Sequence, residues 1–353
     1  MKIPELQPLR RALADWFLVN ARSMPWRTHP EPWRVWVSEI MLQQTRVESV
    51  IGYFERFMQR FPTPVHVADA PIDELLSMWA GLGYYARARN LREACMTIRD
   101  EFHGQVPDDP QTFGGLKGVG RYTQGAVMSI AFGLAEPIVD GNVIRVFSRL
   151  FEIEENASSS TALKLHWQLA EAWVAELGPE ESPSVLNQSL MELGALVCKP
   201  RNPDCHLCPL QEACGAFATK RTHELPKKKP KAARPTFQFQ ALVSVDDCGR
   251  IAVHQRDVKG LLAGLWSLPM VSVSSKKNET SRDCVHVKHA FTHQVWHVDV
   301  VACDVDDERI CNGDFKLVYK TIEELGRLAL GGPSLKALLA FGVKLPKRRG
   351  AGR

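Results

Sequence analysis

The chain has 353 residues, of which 45% are hydrophobic and 24% are charged, a composition typical of a soluble globular protein with two or three domains. No apolar run is long enough to span a bilayer and the N-terminus lacks the apolar core of a signal peptide, so the sequence predicts a cytoplasmic protein without a membrane partner. The formal net charge of +4 is uneven, being −5 over residues 1–225, +5 over 226–236 and +4 over 237–353. Nucleic-acid binding by the first segment would therefore depend on local basic groups and backbone donors.

Apolar residues in the segment 1–225 recur at helical spacing, and glycine and proline residues separate the helical patterns. The patterns cover residues 6–17, 35–61, 69–83, 86–102, 121–133, 141–151, 161–178 and 184–198, and Asp69 is predicted to cap the third of these. This arrangement predicts one compact all-helical domain over residues 1–225.

A change of composition follows residue 225. The stretch 226–236 is rich in proline and lysine, cannot bury a core, and is predicted to be a basic linker. From 237 to 345 alternating, valine-rich stretches and two short helical patterns predict a separate α+β domain. The last residues, 346–353, are predicted to form a disordered basic tail.

Four of the nine cysteines fall within 17 residues: Cys198, Cys205, Cys208 and Cys214, with the spacing C-x6-C-x2-C-x5-C. In a chain without a secretory signal this clustering favours a metal site over disulfides. Zinc and a [4Fe–4S] cluster are both compatible with four thiolate ligands, and ligand chemistry alone favours zinc. The loop between the first two cysteines contains Lys199 and Arg201, which are suited to contact with phosphates.

The segment "LKGVG", residues 116–120, separates two helical patterns. Gly118 and Gly120 permit positive φ and the close approach of a ligand. Consecutive N–H groups at the start of the next helix can bind one phosphate of a nucleic acid. An ordinary helical hairpin without a ligand is the alternative.

Two carboxylates stand out next to helical patterns. Asp140 precedes the pattern 141–151 and is predicted to cap that helix, which would hold it ionised. Glu39 lies among apolar residues; it is either a solvated surface residue or a desolvated carboxyl whose raised pKa suits a general acid. A protonated and an ionised carboxyl together form the pair that cleaves glycosidic bonds.

Together with several further motifs, the features described above resemble those of the adenine DNA glycosylases of the MutY family, within the helix-hairpin-helix superfamily of endonuclease III. The motifs are "PWR" at 25–27, "VWVSEIMLQQTRV" at 35–47, "GLGYYARARNL" at 81–91, "LKGVG", "VDGNV", the cysteine spacing and "FTH" at 291–293. The resemblance implies a helix-hairpin-helix near 114–134, a [4Fe–4S] loop at 198–214 and a Nudix-like C-terminal domain. It also implies a monomer that binds duplex DNA containing adenine opposite 8-oxoguanine or guanine.

Base removal from a duplex requires extrusion of the nucleotide. The resemblance implies that Glu39 protonates the leaving adenine and that Asp140 stabilises the cationic sugar, directly or through a short-lived adduct, before water adds. Tyr122 and Asn142 would support this centre. Further DNA or pocket contacts are implied for Arg27, Gln44, Tyr84, Gly118, Gly120 and Gln188.

Tyr122 occupies the position at which related bifunctional enzymes carry a lysine. A tyrosine hydroxyl cannot form the Schiff base that leads to strand cleavage, so the sequence predicts a monofunctional, hydrolytic glycosylase. A bifunctional or thymine-mismatch glycosylase on the same scaffold, or a non-catalytic metal-stapled DNA-binding protein, are the alternatives.

The C-terminal domain lacks the acidic signature of Nudix hydrolases, so it is predicted to bind rather than to hydrolyse. The resemblance implies that Phe291, Thr292 and His293 read 8-oxoguanine, with threonine where many relatives have serine. A second metal site, of zinc, is an alternative for the histidines that surround this motif: His286, His289, His293 and His297.

Overall fold

The computed structural model describes residues 5–229, 232–257, 259–273 and 284–346. The chain forms two compact units: Met1–Ala68 with Glu93–Lys231, and Asp69–Arg92 with Ala232–Arg353. Within the described ranges, no helix combines the length and apolar character needed to cross a membrane. Residues 230–231 of the predicted linker and 347–353 of the predicted tail lie outside the described residues.

Helices form the N-terminal two thirds of the chain, as predicted. They are α1 (Leu6–Asn20), α2 (Pro25–Thr28), α3 (Pro32–Leu42), α4 (Val47–Arg60), α5 (Pro64–Asp69), α6 (Ile72–Met78), α7 (Ala86–Glu101), α8 (Pro110–Gly114), α9 (Arg121–Ala131), α10 (Gly141–Leu150), α11 (Ser160–Val174), α12 (Pro183–Leu196) and α13 (Gly215–Ala218). Local sequence sets several of these bounds, because Ser159 and Ser182 accept hydrogen bonds from the first turns of α11 and α12.

The single helix predicted over residues 35–61 is wrong. Helix α3 ends at Leu42 and α4 begins at Val47, because Gln44 adopts a left-handed backbone conformation with φ 59°. Such a residue ends the ladder of helical hydrogen bonds. Apolar residues on both sides keep helical spacing, so the pattern does not reveal the break.

The glycine hairpin lies between α8 and α9. Gly118 has a φ of 78°, which confirms the expected positive φ and explains the glycine there. Gly120 does not use this freedom, because it has a φ of −95° and is the N-cap of α9. A Cβ added at Gly120 would meet nothing within 4 Å, so the glycine leaves the surface at the helix start open.

The second unit has two sheets and short helices, which confirms the predicted α+β class. Its elements after the linker are β1 (Thr236–Ser244), β2 (Ile251–Gln255), β3 (Trp266–Ser267), β4 (Met270–Ser272), β5 (Val285–Ala290), β6 (Val295–Cys303), α14 (Glu308–Cys311), β7 (Leu317–Lys320), α15 (Ile322–Arg327) and α16 (Gly332–Ala340). The sheet orders are β4-β1-β6-β5 and β3-β2-β7. Strand β1 runs parallel to β6, and β5 pairs antiparallel with β6.

Alternate residues of β6 form the centre of the second unit's core. Trp296, Val298 and Val300 are buried against apolar side chains of β1, β2 and α16, as the period of a half-buried strand requires. Residues 291–294 close the β5–β6 hairpin, where the N–H of Phe291 donates to the carbonyl of Gln294 at 2.8 Å. The core therefore fixes the base of the turn that carries the "FTH" motif.

Candidate active site

A cavity of about 500 Å³ lies in the first unit. Helix α3 contributes Val35, Glu39 and Leu42, and α12 contributes Gln188, Met191, Glu192 and Ala195. These residues recur at intervals of three or four, so each helix turns one face toward the cavity. The start of α9 adds Tyr122, and the start of α10 adds Asp140 and Asn142.

Glu39 is a buried carboxyl in this cavity, with a relative exposure of 5%. The hydroxyl of Tyr122 donates to its Oε2 at 2.6 Å. Burial raises the pKa of Glu39 to about 7, while the hydrogen bond from Tyr122 acts in the opposite direction. Of the two alternatives left open for Glu39, the structure therefore shows the desolvated carboxyl, and the solvated surface residue, which is the usual place for a glutamate, is wrong.

Asp140 caps α10, as predicted. Its Oδ1 accepts the N–H groups of Asn142 and Val143 at 2.8 and 2.7 Å, and its Oδ2 accepts the amide of Asn142 at 2.8 Å. Burial raises the pKa of Asp140 above its ordinary value, and these donors offset only part of that rise. Because both oxygens accept N–H groups, the surroundings favour the carboxylate more than those of Glu39 do.

Asn142 connects this carboxylate to a buried arginine. Its Oδ1 accepts from Nη2 of Arg145 at 2.7 Å, and Arg145 also donates to the carbonyls of Gly194 and Cys198 at 2.7 and 2.6 Å. Gly194 of α12 lies so close to Asn142 of α10 that a Cβ added at Gly194 would be 2.5 Å from Cβ of Asn142. Helices α10 and α12 can therefore approach closely enough to fix the Asn142 amide against Asp140.

One side of the cavity contains a carboxylate between two arginines, Arg22 and Arg27. Glu192 is 1% exposed and accepts from Nε and Nη2 of Arg22 at 2.8 and 3.0 Å, and from Nη2 of Arg27 at 3.0 Å. Burial alone would raise the pKa of Glu192, but these hydrogen bonds outweigh it and hold the pKa at about 2. Arg27 thus reaches the cavity, as predicted, but as the partner of an ionised glutamate.

Two other predicted residues line the cavity, and the hairpin glycines do not. Gln188 donates to Oγ of Ser184 at 3.1 Å, and Gln44 is exposed in its left-handed conformation. Gly118 and Gly120 are absent from the lining. The structure thus brings together Arg27, Glu39, Gln44, Tyr122, Asp140, Asn142 and Gln188 in one unit.

The four clustered cysteines line a separate small cavity in the first unit. Arg149 is 2% exposed, and its Nη1 lies 3.3 Å from Sγ of Cys198. It also donates to the carbonyls of Lys199 and Leu225, at 2.8 and 3.0 Å. A buried cation bonded to one of four cysteine sulfurs suits a cofactor held by thiolates.

The predicted reading residues lie at the β5–β6 turn of the second unit. Phe291 packs against the core, with its ring 5.0 Å from that of Trp296, whereas Thr292 and His293 are exposed. Tyr84, which belongs to the same unit, has its hydroxyl hydrogen-bonded to that of Thr292. Phe291 therefore anchors the turn to the core, and the hydroxyl of Thr292 and the imidazole of His293 are exposed for contact with a ligand.

The surrounding histidines do not form one group. His286 bonds to Asp299 at 2.8 Å and to His297 at 3.0 Å, while His289 packs against Phe291. Across the described ranges, no three His, Cys, Asp or Glu side chains are arranged to hold a single metal ion.

Comparison with known proteins agrees with this arrangement. Residues 37–172 match the HhH-GPD superfamily of base excision DNA repair proteins, residues 198–214 match the iron–sulfur binding domain of endonuclease III, and residues 240–340 match a NUDIX domain. An adenine DNA glycosylase from Buchnera aphidicola is 32% identical over 296 residues, which cover 82% of each chain. The chain belongs to the adenine DNA glycosylase family.

Larger members of the adenine DNA glycosylase family are also similar. The relative from Arabidopsis thaliana is 36% identical over 82% of this chain, and the human relative is 35% identical over 76%. The chain spans 52% and 58% of their respective lengths.

Solved structures agree with the helical fold. A thermostable thymine-DNA glycosylase has a TM-score of 0.55 at 27% identity, covering 61% of this chain and 97% of that one. A trapped covalent complex of endonuclease III with DNA has a TM-score of 0.51 at 26% identity, covering 62% and 99%.

The cofactor of this family member is a [4Fe–4S] cluster, which confirms the cofactor that the resemblance implies and shows that zinc is wrong. Its ligands would be Cys198, Cys205, Cys208 and Cys214, which line one cavity beside Arg149. When bound, the cluster supplies four iron–thiolate bonds that cross-link the loop.

Sequence reasoning missed Arg22 and Glu192, although both line the cavity. The available signal was a single acidic residue, Glu192, within the apolar pattern 184–198. Its partners could not be read from the sequence, because Arg22 and Glu192 are separated by 170 positions.

Proposed function

We propose that this chain is a monofunctional adenine DNA glycosylase that hydrolyses the glycosidic bond of adenine opposite 8-oxoguanine or guanine in duplex DNA. The observation that carries the proposal is that Glu39 and Asp140, two carboxyls in different environments, line one cavity. Family membership supports the substrate class, and the reaction is the first step of base excision repair. The enzyme acts as a monomer in the cytoplasm, where bacterial chromosomal DNA lies.

The chemistry follows from the two carboxyls. Protonated Glu39 donates its proton to N7 of the extruded adenine, and the bond between C1′ and N9 breaks with its electron pair on the base. Asp140 remains anionic beside the cationic sugar and stabilises it. A water oxygen then adds to C1′ and gives up a proton to the Glu39 carboxylate, which leaves an abasic site and a recharged acid. Tyr122 orients Glu39, and Asn142 orients Asp140.

The Glu192 carboxylate supports recognition of an adenine. An acceptor fixed by two arginines can accept the exocyclic N–H of a purine, because its geometry and charge are already set. Gln188, on the same face of α12, adds an amide that can donate and accept. These two side chains would select the base, while Glu39 acts on it.

Several surface features support a duplex partner. The open start of α9 at Gly120 offers N–H groups to a phosphate. Gln44 and Tyr84, both exposed with positive φ, are proposed to enter the base stack where the adenine leaves. Thr292 and His293 are proposed to contact the opposite base.

A glycosylase assay on a duplex with adenine opposite 8-oxoguanine tests this function. We expect strand breaks only after hot alkali, since hydrolysis leaves an intact abasic strand. Breaks without alkali would indicate the bifunctional alternative, and no base loss would indicate a binding protein. The Glu39→Gln and Asp140→Asn variants should each lose adenine release by about 100-fold or more while still binding the duplex; equal loss of binding would contradict the assigned roles.

A further inference from the structure

Residues 81–84 form a loop with an unusual backbone. Gly81, Gly83 and Tyr84 have φ values of 108°, 71° and 48°. Glycine adopts this region readily, but tyrosine does so only when its surroundings hold it there. Tyr84 is also 42% exposed, so burial of its own side chain does not explain its conformation.

Arg87, one turn further along the chain, contacts the loop from several directions. Its Nη2 donates to the carbonyls of Leu82 and Gly83 at 3.2 and 3.1 Å, and its Nε donates to that of Tyr84 at 3.4 Å. The guanidinium lies 5.5 Å from the centre of the Tyr84 ring and 5.6 Å from that of Trp79. One side chain therefore holds three consecutive carbonyls and one face of the tyrosine.

Burial lowers the pKa of Arg87 to about 10, so the guanidinium stays charged at neutral pH. A planar, charged fork suits several carbonyls and an aromatic face at the same time. A lysine could retain the charge but not this set of contacts.

The far end of the Tyr84 side chain is also tied. Its hydroxyl is hydrogen-bonded to that of Thr292 on the β5–β6 turn. Two hydrogen bonds stabilise this β-turn. The N–H of Phe291 donates to the carbonyl of Gln294, and Nη1 of Arg234 donates to the carbonyl of Phe291 at 2.9 Å. Arg87 and Thr292 are thus connected through one tyrosine.

We propose that Arg87 is a positioning residue that preassembles Tyr84 and Thr292 into one lesion-reading surface before DNA binds. This inference rests on the proposed function. Arg87 fixes the backbone and ring of Tyr84, and the hydroxyl pair fixes the ring relative to the turn. Tyr84 and Thr292 then contact an oxidised purine together. Because both side chains are already positioned, fewer groups lose conformational freedom when DNA binds.

A first test needs no DNA. We expect Arg87→Lys to speed amide hydrogen exchange in residues 81–85 by about tenfold, since loss of the fork removes the contacts that order the loop. Arg99→Lys, on the same helix and bonded to its neighbour Asp100, is the control and should leave this exchange unchanged. Unchanged exchange in Arg87→Lys would overturn the proposal whether or not the protein is a glycosylase.

A second test measures binding in the Glu39→Gln background, so that adenine is not released. Arg87→Lys and Thr292→Val should each reduce the preference for adenine opposite 8-oxoguanine over adenine opposite guanine by about fivefold to tenfold. The double variant should be no worse than the poorer single variant, because both act through Tyr84. If the loss of preference in the double variant equalled the product of the two single-variant losses, the proposal would be overturned. If wild type releases no adenine while the exchange result holds, the proposed function fails and the positioning role of Arg87 stands.

Discussion

Two carboxyls in one cavity behave differently because their hydrogen-bond partners differ. Glu39 meets apolar side chains and one hydroxyl, whereas Asp140 meets amide donors at a helix start. Desolvation raises the pKa of both, but Asp140 accepts three N–H groups that offset part of this rise, whereas Glu39 accepts one hydroxyl. The assignment of acid and anion therefore follows from where each residue stands on its helix.

In the proposed reaction, the pKa of Glu39 makes adenine release sensitive to pH. We expect the single-turnover rate to be constant at low pH and to fall as the pH rises through about 7, because the protonated acid is the active form. The measurement is adenine release with enzyme in excess over duplex, from pH 5.5 to 9. A rate independent of pH over that range would contradict this role.

The pH dependence of the melting temperature tests the raised pKa of Glu39 independently of activity. The folded-state pKa of about 7 lies above the ordinary value of 4.5, so the stabilisation from protonated Glu39 is complete below 4.5 and is lost as the pH rises to 7. The melting temperature of wild type should therefore fall relative to that of Glu39→Gln across this window.

At the scale of single residues, sequence reasoning succeeded where the cause is local. The position of Asp140 before a helix predicted its capping, whereas the apolar neighbours of Glu39 left burial and exposure both open. Glu192 and its arginines were missed because only tertiary folding brings them together. Of the two hairpin glycines that permit positive φ, Gly118 adopts it and Gly120 does not, since two glycines in one motif need not share a conformation.

Among the helices, the contact of α10 with α12 positions Asp140 and Asn142 in the cavity. Gly194 permits this contact, because any Cβ there would lie 3.1 Å from Cα of Asn142 and closer still to its side chain. Apolar spacing predicted most of the helices, but the cap predicted at Asp69 is wrong, because Asp69 ends α5 and α6 begins at Ile72. The break at residues 43–46 was not, because a backbone reversal leaves the apolar spacing unchanged.

We expect Gly194→Ala to destabilise the protein by about 1–3 kcal/mol and to reduce adenine release, because overpacking displaces Asn142 from Asp140. Gly178→Ala is a matched control, since its nearest neighbour would be an ordinary 3.6 Å away. Urea unfolding and single-turnover rates would measure both effects. Normal activity in a stable Gly194→Ala variant would show that the close approach is dispensable.

At the scale of the molecule, the cysteine loop is fastened to the helical unit through Arg149. We expect Cys208→Ser to remove the visible iron–sulfur absorption and to destabilise the protein by about 3 kcal/mol, or roughly 6–12 °C in Tm. Cys248→Ser, at an exposed cysteine, should change neither. A colourless wild-type protein containing zinc would contradict the cofactor.

The order of the chain differs from the order of its compact units. Residues 69–92 precede the hairpin in sequence, yet they pack with residues that follow the linker, as in the bonds of Asp73 to Gln255 and Arg89 to Ala263. One genetic crossover within the linker would therefore separate these partners. Transfer of the second unit to another protein with these contacts intact would therefore need two separate stretches of coding sequence.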